Sequence, residues 1–384
     1  MPTARATAMN GKVLTWAREQ AGLSTAALAE LLHKDEAVVV AWEHDQPDEP
    51  APTVRQLERI AELLKRPLAI FFFSEVPTTS SITRKFRMLP EPIDQAEARD
   101  TSYALREAHA RQLSILELAG GLNPAGEDFL FAEDHPVDPE RLRRVLGISL
   151  EDQQAFSTPE DAFKAWRDRI ERAGVFVFKR AFKQAAISGF CLPHEAVPII
   201  VVNNGTAWTR QIFTLFHELC HLAHHHYGVT RADHDYLDAL VGEERRLEIE
   251  CNRFASEFLV PPQSFDGSAH LWSGDESEVA DIARLYNVSR EVVLRRLLDL
   301  RRIDRATYEA WTKQWNASYY ARPKAGGSGG NFYATTASYL GPAYLRLTFA
   351  AYLAGEIDVV GLAEHLGVKA RQVAKLEPFL EATG

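Results

Sequence analysis

The chain has 384 residues, 46% of them hydrophobic, which is enough for two or three packed units and too much for one small core. Its formal charge of -10 excludes a protein whose whole surface attracts phosphate backbones, so any nucleic-acid contact must rest on a local basic surface. Met1 to Gly11 holds no long apolar core ahead of a cleavage site, and no later stretch stays apolar long enough to span a bilayer. The sequence therefore predicts a soluble, cytoplasmic protein with no membrane partner. The cysteines Cys191, Cys220 and Cys251 are odd in number and widely spaced, which fits a reducing compartment better than a disulfide framework.

In chain order, residues 10–75 read as an all-helical unit, with apolar residues at helical spacing in short runs separated by polar breaks. Ser24 is placed to cap a helix beginning at Thr25, a second helix runs from Glu36 to Glu43, and Thr53 can cap Val54 to Leu64. The break His44 to Pro52 is acidic and proline-rich, and Val76 to Ser81 reads as an exit linker. Residues 76–157 form a helical connector whose main element, Ala96 to Ala119, stops at Gly120-Gly121. Residues 158–265 change character: a helix from Pro159 to Ala173, strands at Val175 to Phe178, Ile187 to Cys191 and Val197 to Val202, then helices at Trp208 to His225 and Glu243 to Leu259. The last stops at Pro261-Pro262. Residues 266–303 extend this domain with helices at Ser277 to Tyr286 and Arg290 to Leu300. Residues 304–384 contain Gly326-Gly327-Ser328-Gly329-Gly330, a loop composition with no Lys-Ser/Thr after it to cradle phosphate, and end in a helical part of unknown role.

His217-Glu218-Leu219-Cys220-His221 carries the clearest chemistry. Residues i and i+4 share a helix face, so both imidazoles can converge on one Zn²⁺ while Glu218 reaches a water held in the open position of the site. A hydrolytic zinc site needs a third protein ligand. His225 lies about 12 Å along the helix axis from His217, too far to share an ion with His221 in between. Glu248 and Glu250 compete on the next helix. Asn252 follows Glu248 at i+4, where its amide can orient a ligand, whereas Glu250 is followed by Phe254, part of a Phe254 and Phe258 core stripe; helical geometry favours Glu248. Glu218 then serves as general base for peptide-bond hydrolysis. No residue can be assigned as oxyanion donor, since Tyr227, His224 and His234 are only nearby in sequence and His224 to His226 read as a solvated helix end. The strand Pro198 to Val202 either presents an edge for an extended substrate or is a core strand.

With these residues in hand, Asp161 to Leu300 resembles the ImmA/IrrE family of zinc-dependent metallopeptidases. The likeness rests on Gly189-Phe190, Val201-Val202-Asn203, the run Arg210 to Leu222 around the histidines, and the run Glu248 to Pro261. It implies zinc ligands at His217, His221 and Glu248 and a general base at Glu218, while Cys220 replaces the glycine usual in the family. Residues 12–73 resemble the XRE-type helix-turn-helix of phage repressors through Leu14 to Ser24, Leu28-Ala29 and Ala41-Trp42-Glu43. That resemblance implies a recognition helix at Glu36 to Glu43 and operator DNA as a partner. The expected DNA contacts are Lys34, Asp35, Glu36, Val39, Arg55 and Arg59, although Asp35, Glu36, Ala37, Val39 and Val40 occupy slots where amide, hydroxyl or guanidinium side chains usually read bases.

The fold class expected is α+β, mostly α: an N-terminal helix-turn-helix module, a central zincin-like domain with a small sheet and the His217–His221 helix, and a helical C-terminal part. The function expected is a regulatory zinc metalloprotease that cuts a specific, repressor-like protein and is coupled to DNA binding, with a homodimer possible on a two-fold operator. The alternative is a transcriptional regulator or antitoxin beside a cognate toxin, with a structural or sensory zinc site. An intact Glu218 favours the enzyme, because a purely structural site needs no carboxylate beside an open position.

Overall fold

The computed structural model describes residues 5–6, 8–44, 51–64, 66, 68–77, 95–126, 130, 138–182, 187–227, 229–231, 240–270, 272–320 and 331–380. Most of the break His44 to Pro52, part of the expected linker Val76 to Ser81, the glycine run Gly326 to Gly330, and His234 lie outside them. The chain divides into two compact units, Met1–Glu107 and Ala108–Gly384.

The first unit is built from helices α1 (Gly11–Gln20), α2 (Thr25–Leu32), α3 (Glu36–Glu43) and α4 (Val54–Leu64), followed by a 3-10 turn at Leu68–Phe72. Their boundaries follow local chemistry. The Asn10 side chain accepts from the Lys12 N–H, Ser24 accepts from Ala27 N–H, and α2 stops where His33 takes a left-handed conformation. Val13, Leu14, Leu28, Val39, Leu57, Ile60 and Phe71 form its core. The Arg18 guanidinium donates two bonds to the Glu43 carboxylate, at 2.5 and 2.9 Å, tying α1 to the end of α3 inside that core. Only glycine fits at position 11, because a Cβ there would lie 2.5 Å from the Glu43 carbonyl oxygen.

The long helix α5 (Gln95–Leu118) ends at Gly120 and Gly121, both with positive φ. In the second unit, α6 (Pro139–Leu146), α7 (Leu150–Ala155) and α8 (Pro159–Arg172) precede strands β1 (Phe176–Arg180), β2 (Ile187–Leu192) and β3 (Ile199–Asn203). Helix α9 (Trp208–Ala223), the short strand β4 (Val229–Arg231) and α10 (Gly242–Leu259) follow. The chain then runs through α11 (Pro262–His270), α12 (Glu276–Leu285), α13 (Arg290–Asp299), α14 (Arg305–Tyr320), α15 (Phe332–Leu340), α16 (Pro342–Leu353) and α17 (Val359–Leu366). The architecture is mostly helical with one small sheet.

That sheet has the order β1-β3-β2-β4, with β1 parallel to β3 and the other two pairs antiparallel. Strand β3 is thus central and buried along its whole length, so of the two readings of Pro198 to Val202 the core strand holds and the substrate-binding edge does not. The reason lies in the pairing: β1 occupies one flank of β3 and β2 the other. Helix α9 lies against the sheet at Gly189, where a Cβ would stand 2.6 Å from both Thr214 Cγ2 and the Val201 carbonyl oxygen. Beneath α9, the rings of Trp166, Phe216 and Phe258 make a tight aromatic core, with Phe216 stacked on Phe258 at 4.2 Å.

The C-terminal helices are anchored to this unit by a buried ion pair within α8. Arg167 pairs with Glu171, donates to the Ser338 carbonyl at 2.6 Å, and Glu171 accepts from the Ala343 N–H at 3.0 Å. Nearby, Lys179 is only 2% exposed, with its ammonium 3.9 Å from the Trp208 ring centre and 4.8 Å from that of Phe163. Burial, reinforced by the positive charge of Arg167, lowers its pKa to about 7. Because the unfolded lysine titrates near 10.4, between pH 7 and 10 the unfolded chain holds a proton that the folded one has shed, and stability rises with pH. Lys179→Met is therefore expected to stabilise the protein by on the order of 2 kcal/mol at pH 7, a gain that fades toward pH 10. Thermal melts of the two proteins at several pH values check this; a variant melting lower at pH 7 would show that the aromatic contacts of the ammonium outweigh its burial.

Candidate metal centre

Helix α9 carries an apolar stripe, Ile212, Leu215, Phe216, Leu219 and Leu222, that sinks it into the core. Its histidines are consequently buried rather than solvated: His217, Glu218 and His221 are all 0% exposed. Helix α10 packs along α9 and carries Glu248 toward them, with Glu248, Cys251 and Ala255 among its buried residues.

The three side chains meet closely. His217 Nε2 and His221 Nε2 are 3.0 Å apart, Glu248 Oε2 lies 3.3 Å from the first and Glu248 Oε1 3.1 Å from the second. Four-coordinate zinc with bonds of 2.0–2.2 Å sets its ligand atoms about 3.3 Å apart, so the triangle has the size of one face of such a coordination sphere. Two imidazoles and a carboxylate also match the donor set of hydrolytic sites. Among the described residues, this is the group of His, Cys, Asp and Glu side chains placed to hold a metal ion.

Electrostatics set the triad's charge state. Burial alone would raise the Glu248 carboxyl, yet hydrogen bonds and charge from His217, then His221, outweigh it and hold the group well below the usual carboxylate range. Asn252, one turn along α10, accepts from the His217 Nδ1–H at 3.1 Å. That bond fixes the ring and leaves Nε2 as the His217 atom that faces the other two groups. Glu250 faces away: it is exposed and sits 3.5 Å from the exposed His224.

Glu218 is fully buried beside the triad. Burial pushes its carboxyl up to about 7, against the opposing pull of His221, the Thr230 hydroxyl and the Cys191 thiol. The Thr230 Oγ1–H donates to Glu218 Oε1, while Oε2 is buried with no hydrogen-bond partner among the described residues. Sequence reasoning missed Thr230 and Cys191. Neither stands at a helical interval from Glu218, and only the sheet brings both to it. Their one local signal was residence in short β-prone runs.

The expected solvated end at His224 to His226 is corrected for His226. Its backbone N–H donates to the His221 carbonyl at 3.0 Å, its ring lies 5.8 Å from that of His221, and its Nδ1 is buried without a partner among the described residues. Helix α9 terminates at Ala223 with His225 in a left-handed conformation, and that reversal folds His226 back under the helix.

Among the expected DNA contacts, Lys34, Asp35, Glu36, Arg55 and Arg59 are exposed. Val39 is not: it is 0% exposed and belongs to the core of the first unit, so it is withdrawn as a contact. Since α3 begins at Glu36, Val39 stands one turn in, on the face that packs on α1 and α2. Arg59 pairs with Glu62 at 3.0 Å, and the Glu36 carboxylate accepts from the Thr25 hydroxyl.

A small sheet, a buried His217–His221 helix and a carboxylate from the following helix define a metallopeptidase-like arrangement. In agreement, residues 170–298 match the family model of the IrrE N-terminal-like domain, the ImmA/IrrE peptidase family. No curated protein matches the chain. Among the described residues, no helix is long and apolar enough to cross a membrane.

Proposed function

We propose that the chain is a regulatory zinc metalloprotease that hydrolyses a peptide bond in a specific, repressor-like protein. The observation that supports this most is the convergence of His217, His221 and Glu248 into a ligand-sized triangle with the buried carboxylate of Glu218 beside it. His217, His221 and Glu248 would hold the ion, and Asn252 would fix the His217 tautomer. Zinc bound there supplies a Lewis acid that polarises a carbonyl and lowers the pKa of water. Glu218 would take the proton from the attacking water and pass it to the leaving amine, a role for which it must be ionised beside the site. Elemental analysis of the purified protein tests the metal: close to one zinc per chain supports the reading, and a chain that holds none overturns it.

The helices of residues 11–64 would dock this activity to operator DNA, as a homodimer on an inverted repeat, through α3 and the cations Lys34, Arg55 and Arg59. The acidic start of α3, Asp35 and Glu36, makes this a weak, phosphate-dominated interaction that fades steeply with salt. In a mobility-shift assay at low salt, wild type should retard a fragment of its own promoter at micromolar protein and Lys34→Ala should do so less. No retardation by wild type would make the unit a protein-contact module, such as one facing a cognate toxin.

A further inference from the structure

We propose that Thr230 is a positioning residue that orients the Glu218 carboxylate, an inference that rests on the metallopeptidase reading of the site. Thr230 is 4% exposed in β4, a strand whose partner is β2. Its cross-strand neighbour is Gly189, the same residue whose missing Cβ lets Thr214 of α9 press against β2. Thr214 stands one helical turn before Glu218. Gly189 thus lets α9 close on the sheet, and the strand paired with it brings a hydroxyl to the carboxylate that α9 carries. The register shifts between Ile187 and Gly189, a local irregularity of the kind that re-aims side chains near active sites.

The consequence is asymmetric. The Thr230 hydroxyl engages Oε1, and among the described residues Oε2 is buried without a hydrogen-bond partner, which leaves it to act as an acceptor. A carboxylate otherwise turns freely about its last bond, so holding one oxygen aims the other. Threonine suits the task because branching at Cβ restricts its χ1, and a hydroxyl bonded to a carboxylate gains strength in a dry site. If Thr230 only satisfied a buried charge, removing it would disturb folding or metal retention without a specific effect at Oε2.

Acetohydroxamic acid is a suitable probe, since it chelates zinc and its hydroxamic proton needs an aligned carboxylate beside the ion. Calorimetric titration of the zinc-loaded full-length protein with this probe, alongside zinc analysis, is the experiment. Thr230→Val should keep wild-type zinc content and bind the probe about tenfold more weakly, the loss of roughly one hydrogen bond to a charged group. Thr230→Ser should restore affinity to within about twofold of wild type, and in a Glu218→Gln background Thr230→Val should add no further loss. Thr230→Val binding as tightly as wild type, or losing zinc, or weakening the probe equally in the Glu218→Gln background, would overturn the assignment while leaving the metallopeptidase reading intact. A wild-type chain without zinc would overturn both.

Discussion

Glu218→Gln is expected to retain zinc and to slow cleavage of the target protein by about 10²–10⁴-fold, the range removed when a general base is deleted. The substitution keeps volume and keeps an acceptor for the Thr230 hydroxyl, so it takes away basicity without opening the pocket. Glu218 contributes no atom to the triangle formed by His217, His221 and Glu248, and metal content should be untouched. The measurement is disappearance of the intact target on a gel, at equal zinc content for both proteins. Unchanged cleavage would remove Glu218 from the mechanism, and a target cut by neither protein would move the site toward a structural or sensory role. General substrates such as casein should be cut poorly, because a regulatory protease must discriminate.

The second large effect concerns the ligands. His217→Ala, His221→Ala and Glu248→Ala should each lower zinc content well below one per chain, whereas Glu250→Ala should leave it unchanged. Losing one of three protein ligands takes away a bond and unbalances the buried charges that remain, since the histidines hold the Glu248 carboxylate in its ionised form. Asn252→Ala should weaken zinc by about 10–100-fold without abolishing it, because it removes the group that holds the His217 ring and not a ligand. Metal retained by Glu248→Ala and lost by Glu250→Ala would reverse the assignment on α10. Exposed Glu250, paired with His224, makes that outcome hard to reconcile with the packing of α9 on α10.

Much of the local structure could be read in advance because its causes are local. Ser24 caps α2 with its side-chain oxygen as expected, a signal that needs no information from elsewhere in the chain; Asp138, Ser149, Thr158 and Ser289 cap helices in the same way, although none of them was foreseen. The four-residue interval of His217 and His221 places both rings on one side of α9 for the same reason. The positions of β1, β2 and β3 came within two residues, but β4 was not foreseen and neither was strand order. Nothing in Ile199-Ile200-Val201-Val202 distinguishes an edge from a centre, and that depends on which segments arrive on either flank.

What the amino-acid sequence determined by itself was the set of elements and the chemistry each carries: capped helices, β-prone runs, two imidazoles one turn apart, and a carboxylate with an amide one turn beyond it. Each depends on backbone geometry within a few residues. The tertiary structure alone decided which groups meet. Pairing of β4 with β2 set Thr230 against Glu218, the left-handed turn at His225 folded His226 under α9, and packing of α3 on α1 and α2 buried Val39 instead of presenting it. These juxtapositions join residues from separate elements, and their positions follow from the packing of a whole core, which no interval along the chain encodes.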